Sequence, residues 1–120
     1  MSSSDTSTMQ YSMNSSHAIK LVKEYIAQNL GRPISLTSLA NEVNYNASYL
    51  SRLFKSSTGM NLTSYITAMR MEKARELLLN TNKKIAEIAQ ELCFASPSYF
   101  NQAFKKHTGM TPMEFRTKGG

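Results

Sequence analysis

Two segments of the chain, residues 47–58 and 96–106, combine side chains that can read DNA bases with side chains that can hold phosphate. Arginine pairs with guanine O6 and N7, and asparagine or glutamine pairs with adenine N6 and N7. The two segments together carry four cations and no acid, which favours contact with a polyanion. The residues predicted to read bases are Ser48, Ser51, Arg52, Ser98, Asn101 and Gln102. The residues predicted to contact phosphate are Lys55, Tyr99, Lys105 and Lys106.

Residue types that perform catalysis or bind metal are scarce and poorly placed. The two histidines are His17 and His107, and the one cysteine, Cys93, has no base near it in the sequence. Paired carboxylates and a glycine-rich phosphate loop are also missing. We therefore expect no enzyme activity, no metal site and no cofactor.

The composition agrees with a nucleic-acid partner. At 120 residues the chain is one domain's length, and fourteen Lys and Arg against eight Asp and Glu give it a net charge of +6. No apolar run approaches the roughly 18 residues that span a bilayer, and the first residues lack the pattern of a signal peptide. The sequence thus predicts a cytoplasmic protein without a membrane partner.

The apolar pattern divides the first part of the chain into a tail and helices. Residues 1–16 hold seven serines and two threonines and are predicted to form a flexible tail. From His17 to Leu30 apolar residues recur at three- and four-residue intervals, which predicts an amphipathic helix ending at Gly31. Ser35 then offers an N-cap for the next helix.

An internal repeat determines the predicted fold. Leu39, Ala40, Glu42 and Tyr45 recur 49 positions later as Ile88, Ala89, Glu91 and Phe94. Tyr49, Phe54, Lys55, Thr58, Gly59 and Met60 recur 50 positions later as Tyr99, Phe104, Lys105, Thr108, Gly109 and Met110. An inserted residue inside a helix would rotate every later side chain by about 100°. The insertion must therefore lie in a turn, and each copy is predicted to be a helix, a turn and a second helix.

Capping residues occur at matched places in the two copies. Asn46 and Ser96 are placed to cap the second helix of each copy, and Gly59 and Gly109 are placed to end it. Thr111 then begins a capping box with proline at the next position.

The sequence therefore predicts an all-α protein with two helix-turn-helix subdomains joined by a long central helix, about seven helices in all. The predicted parts are a tail or linker at 1–16, a first unit at 17–60, a connecting helix at 61–80 and a second unit at 81–120. Twenty residues at 1.5 Å each make a rod of about 30 Å, close to the 34 Å turn of DNA. Such a rod could hold two recognition helices in successive major grooves. Its predicted inward stripe is Leu62, Tyr65, Ile66, Met69, Ala74, Leu77 and Leu78.

Over about residues 17–117 the chain resembles the DNA-binding domain of bacterial regulators of the AraC/XylS family. The most specific residues are Ile85-Ala86-Glu87-Ile88-Ala89, Phe94, Ser98-Tyr99-Phe100, Phe104-Lys105-Lys106, Gly109-Met110-Thr111-Pro112 and Phe115-Arg116. The first copy is similar to versions attached to response-regulator receivers. The resemblance implies sequence-specific binding of double-stranded DNA at the nucleoid, usually with activation and contact to RNA polymerase. It also implies a sensor, receiver or dimerisation domain outside this chain.

Cys93 departs from the family pattern, in which glycine usually precedes the aromatic residue of the second turn. The equivalent residue of the first copy is Asn44, and asparagine tolerates a left-handed backbone better than cysteine does. Either the second turn adopts another conformation, or it stores strain.

Two other binding functions fit the sequence less well. A helical protein–protein interaction module without DNA binding would expose apolar side chains where this chain places Ser, Arg, Asn and Gln. Single-stranded RNA requires exposed aromatic rings for stacking, whereas the aromatic residues here mostly fall on inward stripes. Duplex DNA is therefore the predicted partner, with the interaction module as the alternative.

Overall fold

The computed structural model describes the backbone of residues 3–119 and the side chains of residues 15–119. Regular secondary structure in this part of the chain is entirely α-helical, so the predicted all-α class is confirmed. The helices found between residues 3 and 119 are α1 (Ser3–Gln28), α2 (Leu36–Glu42), α3 (Ala47–Thr58), α4 (Leu62–Asn80), α5 (Ile85–Glu91), α6 (Pro97–Thr108) and α7 (Pro112–Lys118).

Helix α1 begins earlier than the apolar periodicity of the sequence indicates. It starts at Ser3, whereas the periodicity predicted a start at His17, because regular apolar spacing begins only there. Nearly all side chains of the predicted flexible tail, residues 1–16, lie outside the described residues. The interpretation of this segment as a tail or linker therefore stays a prediction.

The chain forms two compact units that meet within the sequence of α4. The first contains α1, α2, α3 and the residues up to Thr63, without the segment Asn29–Pro33. The second contains Asn29–Pro33 and the chain from Ser64 onward, with most of α4 and all of α5, α6 and α7. The sequence had placed α4 in a connecting segment of its own.

Fully buried side chains from three helices lie inside the first unit. Helix α2 contacts α3, and α1 contacts both of them. Val22 and Ile26 of α1, Leu39 of α2, and Leu50 and Phe54 of α3 are all completely buried. Because Leu50 and Phe54 point inward, the opposite side of α3 is left facing solvent.

The second unit has a continuous hydrophobic core to which α4 contributes four residues. These are Met71, Ala74, Leu77 and Leu78, of which Met71 was missing from the predicted stripe. Opposite them lies a chain of aromatic contacts from Phe100 through Phe104 to Phe115, with ring centroids 5.7 and 5.4 Å apart. Helix α4 is therefore a structural part of the second unit.

The segment Asn29–Pro33 packs into the second unit through close backbone contacts. Arg70 donates hydrogen bonds to the carbonyl oxygens of Leu30 and Arg32, at 3.1 and 2.7 Å. A Cβ atom on Gly31 would lie 2.8 Å from the carbonyl oxygen of Glu91, closer than Cβ atoms approach such oxygens. Glycine is thus required at this position for close approach, whereas α1 ends at Gln28, three residues before the end at Gly31 that the sequence predicted.

Candidate nucleic-acid interface

The turns that precede α3 and α6 share a residue in left-handed backbone and a matched backbone hydrogen bond. Asn44 has a φ of 59° and Cys93 a φ of 65°, so both lie in the left-handed region. The residue after each of them donates a backbone hydrogen bond to an equivalent carbonyl oxygen of the preceding helix. Tyr45 N donates to Ala40 O at 2.8 Å, and Phe94 N donates to Ala89 O at 2.9 Å. Of the two alternatives left open by the sequence, the structure therefore has the strained one, because a Cβ atom is disfavoured at this φ. The second turn keeps its shape despite Cys93.

We expect Cys93→Gly to stabilise the protein by about 0.5–1 kcal/mol. Left-handed backbone costs a residue with a Cβ roughly 1–2 kcal/mol, and the greater freedom of glycine in the unfolded chain offsets part of the gain. The measurement is the free energy of unfolding in urea. Cys93→Ala is the control, since it removes the thiol but keeps the Cβ. An equal gain from alanine would contradict strain as the cause.

The residue inserted in the second copy lies in a turn, as the repeat predicted. Cys93 matches Asn44 at an offset of 49, whereas the helix cap Ser96 matches Asn46 at an offset of 50. The extra residue is Ala95, which lies between Phe94 and this cap and is exposed. Because the insertion precedes α6, the pattern of side chains around α3 and α6 is the same.

Matched caps begin and end α3 and α6, which we call the recognition helices. The Asn46 side chain accepts from Tyr49 N at 3.1 Å, and the Ser96 hydroxyl accepts from Tyr99 N at the same distance. Each helix ends at a glycine in the left-handed conformation, with φ of 79° in one and 88° in the other. The predicted caps at both ends are confirmed, and each helix has twelve residues.

The recognition helices turn nearly all the predicted DNA-contacting residues to solvent. Residues three, four and seven positions apart share one face of a helix, and each predicted set has this spacing. The exposed predicted residues are Ser48, Arg52, Lys55, Ser98, Tyr99, Asn101, Gln102, Lys105 and Lys106. Ser51 is half-buried. Neither α3 nor α6 contains an acid, and the completely buried Phe54 and Phe104 hold the opposite faces inward.

Arg52 differs from three other arginines in having no partner. Arg70 and Arg116 donate to backbone carbonyls, and Arg75 pairs with Glu72 at 2.9 Å. Within residues 15–119, the side chain of Arg52 makes neither a hydrogen bond nor an ion pair. Its guanidinium can therefore bind an external acceptor without first breaking an internal contact.

One acid lies near the predicted phosphate contacts of α6. Glu114 accepts a hydrogen bond from the backbone N–H of Thr111 at 3.0 Å. This bond lowers the pKa of Glu114 below its usual value, and the positive charges of Lys105 and Lys118 lower it further. Lys105 therefore has an ionised carboxylate nearby, which sequence spacing within α6 alone did not indicate.

Tyr49 is a further candidate contact that is not among the residues predicted from the sequence. It matches Tyr99 in the repeat, and the two side chains are 44% and 55% exposed. Each ring packs beside the aromatic residue of the preceding turn. The ring centroids of Tyr49 and Tyr45 are 5.5 Å apart, and those of Tyr99 and Phe94 are 6.1 Å apart. The repeat offset of 50 residues was the signal that could have identified Tyr49. A tyrosine hydroxyl beside a groove can donate to a phosphate oxygen.

The recognition helices expose few of the apolar side chains that a protein-interaction module would need. Among the described side chains, the large exposed hydrophobic ones are Leu21, Tyr49, Met60, Leu79, Tyr99 and Met113. On the recognition helices these include only the two tyrosines, each of which carries a polar hydroxyl.

Within residues 3–119, none of the helices is long and apolar enough to cross a membrane.

Comparison with known proteins agrees with this architecture. A family model described as a helix-turn-helix domain matches residues 39–118. The uncharacterized transcriptional regulatory protein YesN of Bacillus subtilis is 38% identical over 120 residues, which cover 97% of this chain and 33% of that protein. The chain thus spans about a third of that relative's length.

Solved structures share the fold closely. The C-terminal domain of AraT, a response regulator from Geobacillus stearothermophilus, has 35% identity and a TM-score of 0.80, with 84% of each chain covered. The DNA-binding domain of AdpA, solved with a target DNA, shares the fold with a TM-score of 0.79 at 22% identity, over 83% of this chain and 90% of that one. The chain belongs to the AraC-type helix-turn-helix family of transcription regulators, and it binds DNA, as its sequence predicted.

Proposed function

We propose that both recognition helices read base edges, each from its own major groove, and that the two grooves are successive ones on a single duplex. The proposed base contacts are Ser48, Ser51, Arg52, Ser98, Asn101 and Gln102. The proposed phosphate contacts are Lys55, Tyr99, Lys105 and Lys106, with Tyr49 added by the repeat.

One observation carries this proposal: an exposed, acid-free polar face occurs at matched positions on two helices, each of which begins at a side-chain cap and ends at a left-handed glycine. A basic helix face can serve solubility alone, but that role does not require matching positions. The major groove admits an α-helix, and the polar side chains on these faces are of the types that distinguish base pairs there.

We further propose that this chain is the DNA-binding part of a larger bacterial regulator. A sensor, receiver or dimerisation domain would supply the signal, and AraT, whose C-terminal domain is similar to this chain, is a response regulator. We also propose that the regulator contacts RNA polymerase, activates transcription and is located at the nucleoid in the cytoplasm. Transcription from a bound promoter with purified polymerase would test the polymerase contact and the activation, and fluorescence microscopy of a tagged protein would test the location.

Arg52 and Lys55 are expected to contribute differently to DNA binding. Arg52→Ala should weaken binding to the preferred site by about 1–3 kcal/mol and relax the preference at one base pair, because a bidentate contact to guanine is lost. Lys55→Ala should weaken binding to all sequences about equally, because a phosphate contact carries no sequence information. The measurement is selection of bound duplexes from a random pool by each variant, followed by titration of the selected site.

A matched control is Lys73→Ala, which removes one positive charge from α4. Lys73 is already paired with Glu76 at 2.8 Å, and it lies outside the recognition helices. We expect this variant to select the same sites as the unmodified protein. If Arg52→Ala and Lys55→Ala gave the same selected sequences, the division of roles between base and phosphate would be wrong.

A further inference from the structure

We propose that the two recognition helices read different bases at matched positions, Arg52 a guanine and Gln102 an adenine, so that the two halves of the DNA site are unlike. This inference rests on the proposed function, in which both helices enter major grooves. It adds the base that Gln102 reads and the contrast between the two matched positions.

Arg52 and Gln102 occupy equivalent positions on two locally equivalent helices. Each lies two residues before a completely buried phenylalanine, Phe54 in α3 and Phe104 in α6. The positions of the caps and the helix lengths also match, so the two side chains leave their helices at the same point and in the same direction relative to the buried face. Any difference in what they bind must therefore come from their chemistry.

The two side chains offer different hydrogen-bonding groups. An arginine has five N–H donors and no acceptor, so it matches the two acceptors of guanine, O6 and N7. A glutamine has one acceptor oxygen and an NH₂ donor, which match the N6 amino group and N7 of adenine. Both side chains are exposed, and within residues 15–119 neither makes a hydrogen bond or ion pair that would fix it elsewhere.

The neighbouring positions strengthen the asymmetry. One residue earlier, α3 has the half-buried Ser51, whereas α6 has the exposed amide of Asn101. Serine can bond to several base edges, but asparagine favours adenine as glutamine does. Helix α3 contains no Asn or Gln, and α6 contains no Arg. One half of the site is therefore expected to be centred on guanine and the other on adenine.

The experiment exchanges the two side chains and reads the selected DNA. The four proteins are the unmodified chain, Arg52→Gln, Gln102→Arg and the double variant, each incubated with random duplexes of at least about 21 base pairs, or two helical turns. Arginine and glutamine have similar helix propensities, and both positions are exposed, so the variants should keep the fold. Circular dichroism and the urea midpoint check this directly.

Arg52→Gln is expected to change one preferred base from guanine to adenine, and Gln102→Arg to change the other from adenine to guanine. Each change should shift the ratio of affinities for the two bases by about 5- to 150-fold. The double variant should exchange both preferences. Folded variants that keep the original bases at these positions would overturn the inference while leaving DNA binding by both units intact. If the unmodified chain selected no common sequence from the pool, the proposed function would fail together with the inference.

Discussion

The affinity of the protein for duplex DNA is expected to fall about 10³- to 10⁴-fold when salt is raised from about 50 to about 200 mM. The exposed, acid-free faces of α3 and α6 carry Arg52, Lys55, Lys105 and Lys106, and the whole chain has a net charge of +6. Each cation that neutralises a phosphate releases a condensed counterion. With about five to eight phosphate contacts, the slope of log K against log salt should be roughly −5 to −7.

Fluorescence anisotropy of a labelled duplex at several salt concentrations measures this slope. Replacing Lys105 and Lys106 together by alanine should reduce its magnitude by about 2, because each phosphate contact contributes close to 1. Lys73→Ala, whose charge is already paired with Glu76, should leave the slope unchanged. A slope near zero for the unmodified chain would contradict binding through these cationic faces.

Phe104→Ala is expected to destabilise the second unit by about 3–5 kcal/mol. The side chain is completely buried, and its ring contacts Phe100 and Phe115 at centroid distances of 5.7 and 5.4 Å. Truncation would remove these contacts and leave a cavity between α4, α6 and α7. Because small proteins are stabilised by only about 5–15 kcal/mol, the loss should also weaken the presentation of α6 to DNA.

Urea unfolding followed by circular dichroism measures the destabilisation. Met113→Ala is the control in the same unit, since this side chain is 59% exposed and its truncation should change stability by no more than about 0.5 kcal/mol. Phe104→Leu provides a milder variant if the alanine form does not fold. A cost for Phe104→Ala no greater than that for Met113→Ala would show that the aromatic cluster does not hold the unit together.

The starts of the recognition helices were predictable because the signals that set them are local. A side-chain cap acts on an amide three residues away, as Asn46 and Ser96 do, and a glycine ends a helix through its own backbone. The repeat then predicted that both copies share these signals, and it placed the inserted residue in a turn. The start of α1 was harder to predict, because the serine-rich segment before His17 has no apolar periodicity.

The candidate site was predictable to the level of helix faces. Spacing along α3 and α6 determines which residues share a side, and the buried phenylalanines determine which side faces inward. Spacing did not indicate that Ser51 is half-buried or that Glu114 lies near Lys105, because both depend on residues outside the helix concerned. The predicted roles of individual residues in reading bases remain predictions for the exchange experiment.

The sequence by itself determined the helix class and the polar faces of α3 and α6, since both follow from short-range periodicity and capping. Its internal repeat determined the duplicated helix-turn-helix pattern. Three features were decided only by the tertiary structure. Cys93 adopts the left-handed conformation in its turn, α4 supplies Met71 to the core of the second unit, and Gly31 lies against the carbonyl of Glu91. The last two features depend on contacts between residues far apart in the chain. Burial of the neighbouring side chains can hold a cysteine in left-handed backbone even though its own local preference opposes it.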